Sequence, residues 1–142
     1  MPFRNPLILA SGTAGYGTEL QGVMYLSVLG GIVTKAVSLE YRPGNRAPRV
    51  AEFSAGMLNS VGLANPGAAA VRQQHLPRML AIRGIPRVLV NVVGFTVEEY
   101  AQVIAVLDYL TGIDAYEINL SCPNTSAGGV EFGADPRSVA AV

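Results

Sequence analysis

The sequence predicts an α/β protein built on a parallel sheet. Three observations predict it. Short apolar, β-branched runs alternate with longer stretches of helical periodicity, in units of roughly thirty residues. The strand runs are apolar throughout, as strands covered on both faces are. Polar residues that strands usually avoid recur at the carboxyl ends of these runs.

Each element follows in order. PLILA (6–10) reads as the first strand, and the turn-rich SGTAGYG follows it. TELQGVMYLSVLG suggests a helix closed by Gly30 and Gly31, and GIVTKAV (31–37) is the second strand. Residues 41–65 carry Pro43, Gly44, Pro48 and Gly56 without strong periodicity, the mark of a functional loop or small hairpin. Apolar positions 68, 71, 76, 79 and 80 form a helical stripe that Pro77 should kink or split. RVLVNVV (87–93) is the third strand. Thr96 and Glu99 form a capping box for a helix whose stripe is Tyr100, Ile104 and Leu107. DAYEINL (114–120) is the fourth strand, and DPRSVAAV begins another helix. Two architectures satisfy this order: a doubly wound open sheet and a (β/α)8 barrel.

Composition narrows the function. The chain has 142 residues, enough for one domain, with 50% apolar and 14% charged residues, so it folds around a core. The formal net charge of zero provides no electrostatic surface for nucleic acid. No apolar run approaches the ~18 residues of a membrane span, and MPFRNPLILA is too short in its apolar part for a signal peptide. The single cysteine excludes an internal disulfide framework and points to a reducing, cytoplasmic setting. One histidine and one cysteine make no zinc or iron–sulfur motif. The sole lysine lacks Walker glycine spacing, and GTAGYG does not match the dinucleotide pattern.

The positions of the polar residues carry the functional argument. Ser11 lies just past strand one, Lys35 ends strand two, Asn91 lies in the second half of strand three, Asn119 ends strand four, and Cys122 follows by three. Carboxyl ends of parallel strands gather on one edge, where both architectures place their sites. Taken singly, each has an ordinary explanation. A lone cysteine is commonly an inert buried thiol, an asparagine can satisfy local backbone, and a strand-end lysine can snorkel into water. His75, beside a helix stripe, reads as structural, and a Cys122–His75 pair is disfavoured because that helix is away from the strand-end edge.

Four blocks carry a family resemblance. AGMLNSVGLANPG (55–67) and EINLSCPNTSAGGVEFGADP (117–136) closely resemble class 1 dihydroorotate dehydrogenases. ILASGTAGYG and GGIVTKAVSLEYRPGNRAPRV match in the right order. MLNSVGLANPG looks most like the NAD-linked type B catalytic subunit, which pairs with an iron–sulfur/FAD electron-transfer subunit. The resemblance implies a (β/α)8 TIM barrel, of which residues 1–142 make about four β/α units, the amino-terminal part of one FMN-binding domain. The phosphate site after strands seven and eight, a later lysine and a second Asn-Ser pair would belong to the other half. It also implies a cytoplasmic enzyme, a homo-oligomer at full length.

The implied activity is oxidation of (S)-dihydroorotate to orotate, with FMN as hydride acceptor, in pyrimidine synthesis. By motif, Ser11, Lys35, Ala36, Asn91 and Asn119 would contact FMN, with Lys35 and Asn119 also reaching substrate. Asn59, Ser60, Val61, Gly62 and Leu63 would bind orotate, largely through backbone N–H groups, and Cys122 would be the catalytic base. These residue types suit the chemistry. A thiolate can take the C5 proton, and carboxamides offer donor and acceptor to a flat ring of alternating N–H and C=O. Lys35, as ammonium, answers a carboxylate and a reduced flavin. The FMN domain of dihydropyrimidine dehydrogenases shares the N-L-S-C-P motif, but Asn124 and the NSVGLANPG loop favour the dihydroorotate type. A non-catalytic half-barrel acting as an interaction module is the alternative of a different class.

Overall fold

The structure, a computed structural model, describes residues 1–121, 123–124 and 130–142. Its centre is a four-stranded sheet of β1 (Ile8–Leu9), β2 (Gly31–Val33), β5 (Arg87–Val92) and β6 (Ala115–Ile118), adjacent in that order and all parallel. These are the four strands read from the sequence: β1 and β6 are shorter at both ends, whereas β2 and β5 begin where expected and are shorter at the carboxyl end. Val37, past the end of β2, still bridges Val92 in parallel fashion. Between β2 and β5 the chain makes an antiparallel hairpin of β3 (Val50–Phe53) and β4 (Gly56–Asn59). A second small pairing joins β7 (Pro123–Asn124) to β8 (Val130–Glu131).

Strand alternation divides the sheet into two faces. Ile32, Val88, Val90 and Val92 join Val71, Leu76, Met79, Val103 and Leu107 in one buried cluster, which is the core. The opposite face carries Asn91 and Glu117, cross-strand partners in the β5–β6 register. At the amino edge Asp114 clamps that register. Its Oδ1 accepts from Arg87 Nη1 at 2.7 Å and its Oδ2 from the Val88 backbone N–H at 2.8 Å.

The helix over 96–110 is observed as α3 (Val97–Leu107), with α1 (Ala68–Ala70) and α2 (Leu76–Leu80) before it. Thr96 Oγ1 accepts from the Glu99 N–H at 3.3 Å, and the Glu99 carboxylate accepts from Phe95 N–H at 2.6 Å, one residue further back than a standard capping box. Tyr100, Val103 and Leu107 form its buried stripe, and Ile104 packs at the margin. Pro77 does not break its helix. A π-helical turn, Val71–His75, lies between α1 and α2, where the Pro77 ring would otherwise meet the Gln73 carbonyl. A short helix, α4 (Pro136–Ala141), ends the chain, capped by Asp135, whose carboxylate accepts from the Ser138 N–H at 3.1 Å.

The helix expected over residues 18–30 does not form. Two short 3₁₀ turns, Thr18–Leu20 and Leu26–Val28, stand in its place. Gly22 sits between them at φ 83°, outside the right-handed region. The apolar side chains of Val23 and Tyr25 are then left exposed. His75 lies on the helical side as expected, its ring 4.7 Å from that of Tyr16. Burial, with the charge of Glu19 added, raises the pKa of the Tyr16 phenol.

Thr96→Ala removes the side-chain acceptor at the head of α3. Stability should fall by about 1 kcal/mol, read as a lower urea midpoint at unchanged slope. An unchanged midpoint would show that Glu99 alone supports this end of the helix.

Candidate active site

Three residues at the carboxyl edge of the sheet are tied together by one buried residue. Thr34, fully buried, directly follows β2. Its carbonyl accepts from Ser11 Oγ at 2.9 Å, and its hydroxyl accepts from Asn91 N–H at 3.2 Å while donating to the Lys35 carbonyl at 3.0 Å. The Lys35 N–H donates to Gly15 O at 2.7 Å, fixing the turn after β1 against the end of β2. Ser11, Lys35 and Asn91 thus keep a common frame although 80 residues separate the first from the last.

The loop 59–63 is held from the other side. Asn45 donates from Nδ2 to Ser60 O at 3.1 Å and from its backbone N–H to Val61 O at 3.0 Å, and Ser60 N–H donates to Arg49 O at 2.8 Å. Asn65 anchors the loop's base. It is buried, donates from Nδ2 to Ser38 Oγ at 2.9 Å and Leu63 O at 2.8 Å, and accepts at Oδ1 from Ser38 N–H and Gly67 N–H. Gly62 and Leu63 are both left-handed, at φ 72° and 55°. For a leucine this is strained, a state that persists where surrounding structure holds it. Here Asn65 and the packing of Leu63 on Ala36 and Val93 do so. Among the described residues, the backbone N–H groups of Val61, Gly62 and Leu63 find no hydrogen-bond acceptor, which leaves them available to an anionic or carbonyl ligand.

These elements enclose a cavity of about 760 Å³ at the carboxyl edge. Ser11, Lys35, Ala36, Asn91 and Asn119, read from the sequence as one group, all line it. So do Asn59, Val61 and Leu63 from the loop. Ser60 and Gly62 do not. Ser60 turns its hydroxyl to Asn45 Nδ2 at 2.7 Å, and Gly62 borders a small separate hollow beside Arg42. Cys122 lies outside the described residues; Leu120 and Ser121, just before it, line the cavity. The Tyr100 hydroxyl donates to the Asn119 carbonyl at 2.7 Å, so α3 sets the height of the β6 strand end.

Sequence reasoning missed several contributors, four of them polar residues with a definable task. Thr34 was hidden inside an apolar run. Asn65 supports the loop without lining the cavity. Thr13 and Glu117 line it. Glu117 had a readable signal, because it shares a strand face with Asn119 two residues on. The lining holds one cation, Lys35, and one carboxylate, Glu117, among the described residues. Lys35 takes part in neither of the salt bridges among those residues, Arg87–Asp114 and Arg137–Asp135. A second cavity of about 530 Å³ at the amino edge contains Arg87 and Asp114, whose charges already answer each other. No group of three or more metal-binding side chains occurs among the described residues.

Sequence comparison now decides the family. Residues 1–142 match the family model described as dihydroorotate dehydrogenase. The chain belongs to the dihydroorotate dehydrogenase family. It is 46% identical over 142 residues to the dihydroorotate dehydrogenase B (NAD(+)) catalytic subunit of Desulforudis audaxviator, covering 100% of this chain and 46% of that protein. It is 44% identical to the protein of the same name from Bacillus pumilus, covering 100% and 45%. A putative dihydroorotate dehydrogenase A (fumarate) of Solibacter usitatus is 45% identical over 139 residues, covering 98% and 45%. The chain therefore spans about half the length of the curated relatives it matches.

Asn65→Ala would leave the buried N–H groups of Ser38 and Gly67 without their acceptor and release Leu63. We expect a loss of roughly 2–4 kcal/mol, measured by chemical denaturation. A loss below about 1 kcal/mol would mean that water replaces the carboxamide and that the loop is not anchored there.

Proposed function

We propose that this chain is the part of a (β/α)8 barrel that carries the flavin-ring and substrate sites of a dihydroorotate dehydrogenase, oxidising (S)-dihydroorotate to orotate in pyrimidine synthesis. One observation carries the reading. In a member of this family, the ends of separate strands bring Ser11, Lys35, Asn91 and Asn119 to one cavity, and the loop 59–63 closes over it. The four parallel strands would be one arc of the barrel.

The residues fit FMN. Asn91 is buried and carries spare capacity: one Nδ2 hydrogen and one Oδ1 lone pair are engaged, leaving one of each. Ser11 uses its proton on Thr34 O and keeps acceptor lone pairs. Ala36 and Leu63 add apolar surface beside them. That combination suits the flat, polar-edged isoalloxazine ring. FMN, when bound, supplies the acceptor for the hydride that leaves C6 of the substrate.

The chain's own residues do the rest. Lys35 offers an ammonium uncommitted to any described carboxylate, suited to an anionic substrate beside the flavin. The N–H groups of Val61 and Leu63 bind the substrate's carboxylate and ring, with Asn59 beside them and Asn119 reaching the ring from β6, while Ser60 and Gly62 shape the loop from outside the cavity. Cys122 acts as base and removes the C5 proton. Holding a flat substrate in one orientation would let these residues present each of its two reacting carbons to its own acceptor, so orientation would do much of the work. The relatives named as B (NAD(+)) catalytic subunits favour an NAD-linked enzyme with a separate partner subunit; an iron–sulfur/FAD identity for that partner, a homo-oligomer and a cytoplasmic setting belong to the same proposal. No described helix is long and apolar enough to cross a membrane.

The test is purification of the protein at the full length of its relatives, identification of any released flavin by mass, and anaerobic addition of dihydroorotate. Stoichiometric FMN that bleaches with dihydroorotate and not with dihydrouracil is expected. Absence of flavin, or bleaching by dihydrouracil alone, would refute the reading. Within that assay, Lys35→Ala should lower FMN retention and slow flavin bleaching by at least ~10²-fold. Lys35→Arg should not restore it, because a planar fork does not reproduce a point ammonium. Parent-like flavin content and turnover in Lys35→Ala would return the side chain to solvent snorkelling.

Cys122→Ala should slow flavin reduction by ~10²–10⁴-fold while FMN and orotate still bind. Cys122→Ser should keep a small activity that grows at high pH, since a hydroxyl ionises far less readily than a thiol. Stopped-flow bleaching of the three proteins across pH is the measurement. A rate within about threefold of parent for Cys122→Ala would show that another group takes the proton.

A further inference from the structure

Glu117 is the one carboxylate among the described residues lining the cavity, and the roles proposed above leave it without one. It faces Asn91 across the β5–β6 pairing. Its Oε1 accepts from Asn91 Nδ2 at 2.6 Å, a short, charge-assisted hydrogen bond. Asn91 Oδ1 in turn accepts from Asn119 Nδ2, in a long contact of 3.5 Å, and Asn119 Oδ1 accepts from the Ser121 N–H at 3.1 Å. The four residues form a chain of hydrogen bonds along the cavity wall.

The chain has only one possible sense. A carboxamide by itself can turn either end toward a neighbour. A carboxylate only accepts, and a backbone N–H only donates. Glu117 at one end therefore requires the NH₂ of Asn91, which turns the Asn91 carbonyl to Asn119. Ser121 at the other end requires the carbonyl of Asn119, which turns its NH₂ to Asn91. Both ends demand the same arrangement. The middle contact is the weak link, so the strong Glu117 bond is what holds Asn91.

We propose that Glu117 is a positioning residue of the flavin site, fixing the carboxamide of Asn91, and through it that of Asn119, so that the wall presents a single donor–acceptor pattern to the ring. The inference rests on the flavin reading above. A purely structural role fits poorly. Glu117 joins no salt bridge among the described residues, its side chain lies on the sheet face away from the core cluster, and the register of its strand is already clamped by Asp114.

The test uses the protein at the full length of its relatives, stripped of flavin and titrated with FMN, following quenching of flavin fluorescence. Four proteins are compared: parent, Glu117→Gln, Asn91→Ala and the double variant. Glutamine keeps the shape but can donate as well as accept, so the carboxamides lose their fixed sense. Glu117→Gln should weaken FMN binding about tenfold, the worth of one charge-assisted hydrogen bond. Once Asn91 is alanine, Glu117 has nothing to hold, so the double variant should bind no worse than Asn91→Ala alone. FMN binding by Glu117→Gln within twofold of parent would overturn the proposal. So would multiplicative losses in the double variant, or failure of Glu117→Gln to fold, which would assign the residue to stability. A parent that binds no FMN would refute the flavin reading itself, a result separable from the other three.

Discussion

Parallel pairing in register is the constraint on which the rest depends. Because β1, β2, β5 and β6 all run one way, their carboxyl ends fall on one edge, and residues remote in sequence meet there. A slip of one residue would send Asn91 and Glu117 into the core and bring Val90 or Val92 to the cavity. Two features oppose that slip. The valines of β5 are buried among the helices, which makes the alternative face costly. Asp114 fixes β5 and β6 relative to each other by binding both the side chain of Arg87 and the backbone of Val88. Stability is thus concentrated at the amino edge of the sheet, and chemistry at the carboxyl edge, a division typical of such sheets.

Buried polar groups then convert a sheet edge into a site. Thr34 and Asn65 are neither candidate ligands nor apolar core, yet each joins several backbone segments. Their value lies in direction. Apolar packing on Ala36 and Val93 would hold Leu63 near its place but would not choose its left-handed backbone. The hydrogen bond from Asn65 Nδ2 to Leu63 O aligns that residue, and the three uncommitted N–H groups of the loop are a consequence of the turn it stabilises. Strain in the loop and satisfaction at its base belong together.

Periodicity made the four strands and α3 legible, and the strand-end rule brought Ser11, Lys35, Asn91 and Asn119 together before any coordinates. Helical periodicity over residues 18–30 misled, because Gly22 adopts a backbone that an apolar stripe cannot reveal. Pro77 predicts a kink or split, and the structure answers with a π-helical turn just before it that keeps the run helical. The loop was named by its motif, yet which of its residues face the cavity depended on Asn45, an asparagine outside the motif that captures Ser60. Glu117 and Thr34 escaped notice for opposite reasons. One looked like an ordinary charged residue within a strand motif, the other like a neutral member of an apolar run.

The cations of the chain show how side-chain shape divides labour. Nine of its ten basic residues are arginine. Arg87 pairs with a carboxylate, Arg49 spans the carbonyls of Asn45 and Pro43, and Arg42 and Arg72 lie over the rings of Phe95 and Tyr109. These are tasks for a planar fork, which directs several donors at once and stacks on aromatic faces. In each case the guanidinium is already engaged within the fold. The cavity asks for the reverse: a compact positive charge on a flexible stem, anchored through its own backbone and left free at its tip. Lys35 meets that requirement because Thr34 and Gly15 hold its main chain while its ammonium joins no salt bridge among the described residues. Glu117, on the same wall, spends its charge on Asn91 rather than on Lys35. The two opposite charges therefore share one cavity without neutralising each other in an ion pair, and each remains effective for a different partner.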